Sequence, residues 1–123
     1  MGRHDYFLIY YNNTNINIDR KSKQIKVWIK MKYTEKGKDN EIQLRKKEGL
    51  DINDFQKLDH ELLLYLYDYN NMKLKIPSSV HYSLSGDILS SFKSPSVGWD
   101  DIVPDSVGDL ILKNILETHN IRR

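Results

Sequence analysis

The stretch Gln24–Tyr33, QIKVWIKMKY, constrains this chain more than any other. Ile25, Val27, Ile29, Met31 and Tyr33 fall on every second position, and Lys26, Trp28, Lys30 and Lys32 fill the positions between. That is the period of a strand, whose successive side chains point to opposite faces, and it sets an apolar face against a basic one. The apolar face demands a core. The other face, one tryptophan among three lysines, is the candidate partner-binding surface.

A chain of 123 residues has the length of one ordinary domain and buries roughly two-thirds of its unfolded surface, so 1–123 is read as a single domain. Residues 6–11, YFLIYY, are aromatic and branched enough for a strand, and the NNTN that follows has turn composition. Ile16 and Ile18 alternate with asparagines and residues 19–22 supply a polar loop, so 16–33 read as a hairpin. Residues 35–40 read as a charged loop containing Gly37. Residues 41–48, EIQLRKKE, fit a helix ending at Gly49 and also a strand through Ile42 and Leu44, and the choice stays open. Asp51, Asn53 and Asp54 around Ile52 and Phe55 suggest a turn or one short helical turn.

Residues 61–67, ELLLYLY, are apolar on both alternating faces, as in a strand covered on one side by the domain's own helix and on the other by a second subunit. Met72, Leu74 and Ile76 form the next strand, with Lys73 and Lys75 outward and an interruption or bulge at Pro77. Residues 80–84 and 88–92 flank Ser85-Gly86-Asp87 as a tight hairpin. A helix is predicted from about Ser106 to Thr118, with Ser106 and Asp109 in the form of a capping box and Val107, Leu110, Ile111 and Ile115 as its inward stripe. Gly108 in its first turn lets the helix approach the sheet closely. The fold class is therefore α+β, an antiparallel sheet of about five or six strands with a C-terminal helix packed on one face.

Composition narrows the function classes. No apolar run approaches the ~18 residues of a membrane span, and the amino terminus lacks the basic and apolar regions of a signal peptide. The absence of cysteine excludes disulfides, thiolate nucleophiles and cysteine-rich zinc sites. Charge is unevenly spread: residues 20–38 hold eight basic residues against Glu35 alone, whereas Asp100, Asp101, Asp105 and Asp109 lie in a stretch, 95–112, without a basic residue. Such segments suit separate partners, or each other across a dimer contact.

The order YYNNTNINID, KQIKVWIKMKY, LYLYDYNNMKLKI, HYSLSGDILSSF and WDDIVPDSVGDLILKNIL resembles the surface-adhesin protein E family of bacterial exported proteins and lipoproteins. Its most specific parts are Trp99 followed by Pro104-Asp-Ser-Val-Gly108 with Asp109, and Val27-Trp28-Ile29-Lys30. The resemblance spans about Tyr10 to Leu116. It implies an extracytoplasmic location (periplasm, outer membrane or cell surface), a sheet with a carboxy-terminal helix, dimerisation, and attachment to host matrix proteins. Any membrane attachment would run through a leader or lipid anchor outside this chain. Family members tie helix to sheet by a disulfide whose positions correspond here to Tyr69 and Leu116, so an apolar contact would replace a bridge worth ~2 to 4 kcal/mol. The triplet Asn12-Asn13-Thr14 fits a glycosylation acceptor, but in a bacterial chain it reads as a turn.

The chemistry-bearing residues are weighed on the same footing. Trp28 with Lys26, Lys30 and Lys32 suits stacking on a base or sugar, or holding a sulfated glycan or acidic loop; the plainer reading is a solvated strand face. His4, His60, His81 and His119 show no metal spacing, and Asp100 with Asp101 lacks an accompanying nucleophile or phosphate loop, so no enzyme, metal or cofactor is expected. Tyr6, Tyr10, Tyr11, Tyr65, Tyr67 and Tyr69 either line a dimer or partner surface or form a tyrosine-rich outer sheet face. The expected function is a noncatalytic envelope or surface module that binds a protein, a homodimer without nucleic acid; the alternatives are an assembly subunit of an envelope or filament complex, and a haem or small-ligand carrier.

Overall fold

A computed structural model of the chain describes residues 2–3, 6–12 and 14–122. Its order is β1 (Gly2–Arg3), β2 (Phe7–Tyr10), β3 (Asn17–Asp19), β4 (Gln24–Tyr33), α1 (Glu35–Lys47), a 3-10 turn (Phe55–Lys57), β5 (Leu58–Asp68), β6 (Lys73–Ser83), β7 (Ile88–Lys93), β8 (Asp100–Asp101) and α2 (Val107–Thr118). The fold is α+β, with an antiparallel sheet in the order β1-β2-β4-β5-β6-β7, β3 beside β4 and β8 beside β6, and the carboxy-terminal helix packed against it. The backbone divides into two compact units. One comprises Met1–Tyr11, Ile29–Leu63 and Ser78–Lys93, the other Asn12–Trp28, Leu64–Pro77 and Ser94–Arg123.

The unit that contains α2 has the more apolar core. Ile25, Val27, Tyr65, Tyr67, Tyr69, Ile111, Leu112, Ile115 and Leu116 are all buried. Ser106 caps α2 by accepting from the Asp109 backbone N–H, while the Asp109 carboxylate accepts from the Asp105 N–H at 2.8 Å and from Lys113 Nζ at 2.9 Å. The helix ends in a Schellman motif, with Asn120 at φ 53° and the Ile121 N–H bonded to the Leu116 carbonyl. Its buried residues are Gly108, Asp109, Ile111, Leu112, Ile115 and Leu116, whereas Leu110 is 55% exposed. The expected stripe is therefore rotated, because Gly108 faces the sheet: its carbonyl accepts from Tyr67 Oη at 2.7 Å.

A Cβ at Gly108 would meet Leu74 Cδ2 at 2.9 Å, the end of a flexible side chain. Substitution by alanine is expected to shift stability by less than about 1 kcal/mol in either direction, since the helix-propensity gain of about 1 kcal/mol offsets displacement of one methyl group. Equilibrium urea unfolding would check it.

The unit that contains α1 buries Ile9, Ile29, Met31, Phe55, Leu58 and Ser83. Residues 35–40, expected as a loop, are the first half of α1, and the open assignment of 41–48 resolves to helix. Thr34 explains the start, accepting from the Gly37 N–H with its hydroxyl at 3.1 Å. Glu35 in the first turn and Arg45, Lys46 and Lys47 in the last complement the helix dipole. Gly49, at φ 70°, ends the helix through the Schellman bonds of Gly49 N–H to Lys46 O and Leu50 N–H to Arg45 O, as its position suggested. The 85–87 turn also forms as expected, with Gly86 at φ 93°.

Two further expectations change. Met72 lies outside β6, which runs unbroken through Pro77. Tyr65, Tyr67 and Tyr69 are core residues rather than a partner-facing or outer sheet face, while Tyr10 is 44% exposed.

Candidate functional site

The alternation along β4 is complete: Ile25, Val27, Ile29 and Met31 are buried while Lys26, Trp28, Lys30 and Lys32 are exposed. Trp28 and Lys26 belong to the unit containing α2, Lys30 and Lys32 to the unit containing α1. Trp28 is 48% exposed. Register places Tyr10 opposite Lys30 and Leu8 opposite Lys32 on β2, and Asn17 opposite Lys26 on β3. Among the described residues these three lysines enter no ion pair. The acidic segment differs: Lys73 pairs with Asp101, and Lys113 bridges Asp105 and Asp109. Lys75 Nζ sits 4.6 Å over the Trp99 ring, a cation–π contact that holds Trp99 within its own unit.

A second cluster lies under α1. Its inward side chains are mostly polar, because the buried and half-buried positions along this helix are Gly37, Lys38, Glu41, Ile42 and Arg45. Tyr33 Oη donates to Glu61 Oε1 at 2.8 Å. His81 Nε2 lies 3.5 Å from Glu61 Oε1 and 3.9 Å from Glu41 Oε2, with side-chain exposures of 12%, 13% and 22% for His81, Glu61 and Glu41. Arg45 stacks 4.2 Å over Phe55, which packs 5.7 Å from His81, and its Nε donates to the Asp51 carbonyl.

Burial dominates the electrostatics here, because a desolvated group resists its charged form. It pushes the Glu61 carboxyl up to about 7, helped by the Glu41 charge and opposed by the hydrogen bonds from Tyr33 and Ser79. The His81 imidazole is pushed down to about 4 by burial and by the Arg45 guanidinium. Glu41 is raised by burial, and the Tyr33 phenol is held far above its ordinary range by burial and the two glutamates. Tyr33 also forms part of the wall of an open groove of about 580 Å³ shared with Lys32, Lys38, Lys57, Glu35 and Asp59.

No family model, curated protein or solved structure matches the chain.

Sequence reasoning found the exposed row of β4 and missed the buried cluster. Tyr33, Glu41, Glu61 and His81 share no local motif, and in the run Val80-His81-Tyr82 the apolar neighbours mark His81 as the outward residue. Of the other histidines, His60 stacks on Tyr82 at 5.0 Å with Nδ1 2.8 Å from Asp59 Oδ2, and His119 ends α2 with its Nε2 buried and unpartnered. His4, Asp5 and Asn13 lie outside the described residues. Among those described, no group of three or more His, Cys, Asp or Glu is placed to hold a metal ion.

Proposed function

We propose that this chain is a noncatalytic binding module of the bacterial cell envelope or surface, which takes a protein partner through the outward row of β4 and works as a homodimer. The observation that carries the reading is Trp28, 48% exposed on a strand face whose lysines enter no ion pair among the described residues. A half-exposed indole is apolar surface with a donor at its edge, the combination enriched where proteins meet, and the lysines select an acidic partner surface. The envelope location and the matrix-protein class of partner rest on the resemblance of the YYNNTNINID to WDDIVPDSVGDLILKNIL order to surface-adhesin protein E proteins.

Surface capture of purified matrix proteins tests it. Saturable binding is expected for at least one, weakening as salt is raised because exposed charges are screened within about 8 to 10 Å. Absence of saturable binding across the panel, beside an active control adhesin, rejects the adhesin reading. A second reading, an assembly subunit of an envelope or filament complex, draws on Leu62, Leu64 and Leu66. Each is only partly buried, on the face of β5 opposite Tyr65 and Tyr67. A strict monomer in light scattering, without a co-purifying partner, would reject it.

A further inference from the structure

We infer that Glu61 and His81 act as a one-proton unit beneath α1, so that this pair adds no pH dependence to the hold of the helix on its unit across the weakly acidic range. The geometry carries the inference. A carboxyl and an imidazole 3.5 Å apart, both almost closed off from water, have two arrangements of one proton: carboxylic acid beside neutral imidazole, or carboxylate beside imidazolium. Both contain the same number of protons, so solution pH does not choose between them. The phenol of Tyr33 fixes the carboxyl from β4, Ser79 supports it from β6, and α1 supplies Glu41 and Arg45 to the same space. Glu48 acts on Glu41 from the end of the helix, and Lys38 on the same helix is engaged by Glu35 at 3.3 Å.

The proton count follows from the two shifts. With α1 lifted and the pair in water, the carboxyl titrates near 4.5 and the imidazole near 6.5. With α1 in place the order inverts, the carboxyl near 7 and the imidazole near 4. Between about pH 4.5 and 6.5 both states therefore hold one proton, and the linkage slope of the pair vanishes. Either residue alone would impose a steep slope, and the two slopes have opposite signs. A lowered imidazole confers stability above 6.5 that is lost as pH falls towards 4. A raised carboxyl confers stability below 4.5 that is lost as pH rises towards 7.

Amide hydrogen exchange of α1, referenced to α2 in the same molecule and corrected for intrinsic rates, reads this directly. The unmodified chain is expected to show a ratio that changes less steeply than in either variant from about pH 4.5 to 6.5, its residual slope being the loss that the raised Glu41 carboxyl imposes as pH rises. Relative to it, Glu61→Gln is expected to lose about tenfold of α1 protection per pH unit of acidification over that range, and His81→Gln about tenfold per pH unit of alkalinisation. Taking each variant as a ratio to the unmodified chain cancels the contribution of Glu41. Slopes of the same sign in both variants, or a slope in the unmodified chain as steep as in either, would overturn the inference.

Carbon and nitrogen NMR titration of the unmodified protein serves if a variant does not fold. Both side chains are expected to report the same two steps, near 4 and near 7. An imidazole stepping alone near 6.5 and a carboxyl alone near 4.5 would overturn it.

Discussion

Gly37→Ala is expected to destabilise the α1 unit by about 3 kcal/mol. An added Cβ would stand 1.7 Å from the carbonyl oxygen of Tyr6 and 2.6 Å from its carbon, both backbone atoms. No side-chain rotation relieves such a contact, so either α1 or the chain at Tyr6 must move. The movement would strain the bond from the Thr34 N–H to that same Tyr6 carbonyl, 2.9 Å, and with it the residue that caps the helix. Overpacking costs about 1 to 3 kcal/mol and occasionally more, and helix propensity returns about 1 kcal/mol. The steric term is therefore set above the usual range. Urea unfolding measures the loss, and Gly108→Ala is the control: the same substitution in the first turn of the other helix, against a flexible leucine methyl. Equal effects for the two would contradict the close approach of Tyr6 to α1.

Leu112→Ala is expected to cost about 3 to 4 kcal/mol in the other unit. Leu112 is fully buried in the middle of α2, beside Ile111, Ile115 and Leu116 on the face turned to the sheet. Removing a buried leucine to Cβ costs about 2 to 5 kcal/mol, the spread reflecting how far the surroundings collapse into the cavity. In the same core Tyr67 is tied to α2 by its hydrogen bond to the Gly108 carbonyl, one turn before Leu112, which limits how far the surroundings collapse. Leu110→Ala, at a position 55% exposed, is the matched comparison and is expected to cost less than about 1 kcal/mol. Thermal or urea unfolding that ranked Leu110 above Leu112 would restore the stripe expected from the sequence and reject the rotation.

Local chemistry made some of this visible in the chain itself. The two-residue period of β4 survives intact because one face meets a core and the other meets water, and Ser106 with Asp109 marks the start of α2 through a capping pattern that needs no tertiary information. The close approach of Gly108 was legible as a glycine in the first turn, but the stripe expected through Val107 and Leu110 lies one rotational step off: with Gly108 turned to the sheet, Leu112 and Leu116 go inward and Leu110 goes out to solvent. The first half of α1 was unreadable for a different reason. Its sequence, EKGKDNEIQLRKK, has only Ile42 and Leu44 as apolar side chains, and Leu44 is 47% exposed. The helix is held instead by a cap, by Gly37 against Tyr6 and by polar groups facing His81 and Phe55, all set by residues distant in sequence. The cluster of Tyr33, Glu41, Glu61 and His81 exists only once strands and helix have assembled, so no spacing announces it. Where local preference and fold disagree in this way, at a polar interior under a polar helix, the disagreement itself points to the site.

The exposed row of β4 remains the centre of the functional account. Its most direct test is the binding of Trp28→Ala to whichever matrix protein the unmodified chain captures, with Lys30→Glu beside it and unfolding curves for all three. Trp28 and Lys30 are both outward and exposed, so neither substitution is expected to move stability by more than about 0.5 kcal/mol. Loss of a central indole from an interface costs about 2 kcal/mol or more, so affinity is expected to fall at least thirtyfold for Trp28→Ala. For Lys30→Glu the association rate is expected to fall and to lose much of its dependence on salt. Unchanged affinity in Trp28→Ala, with folding intact, would contradict the claim that this face of β4 is the binding surface.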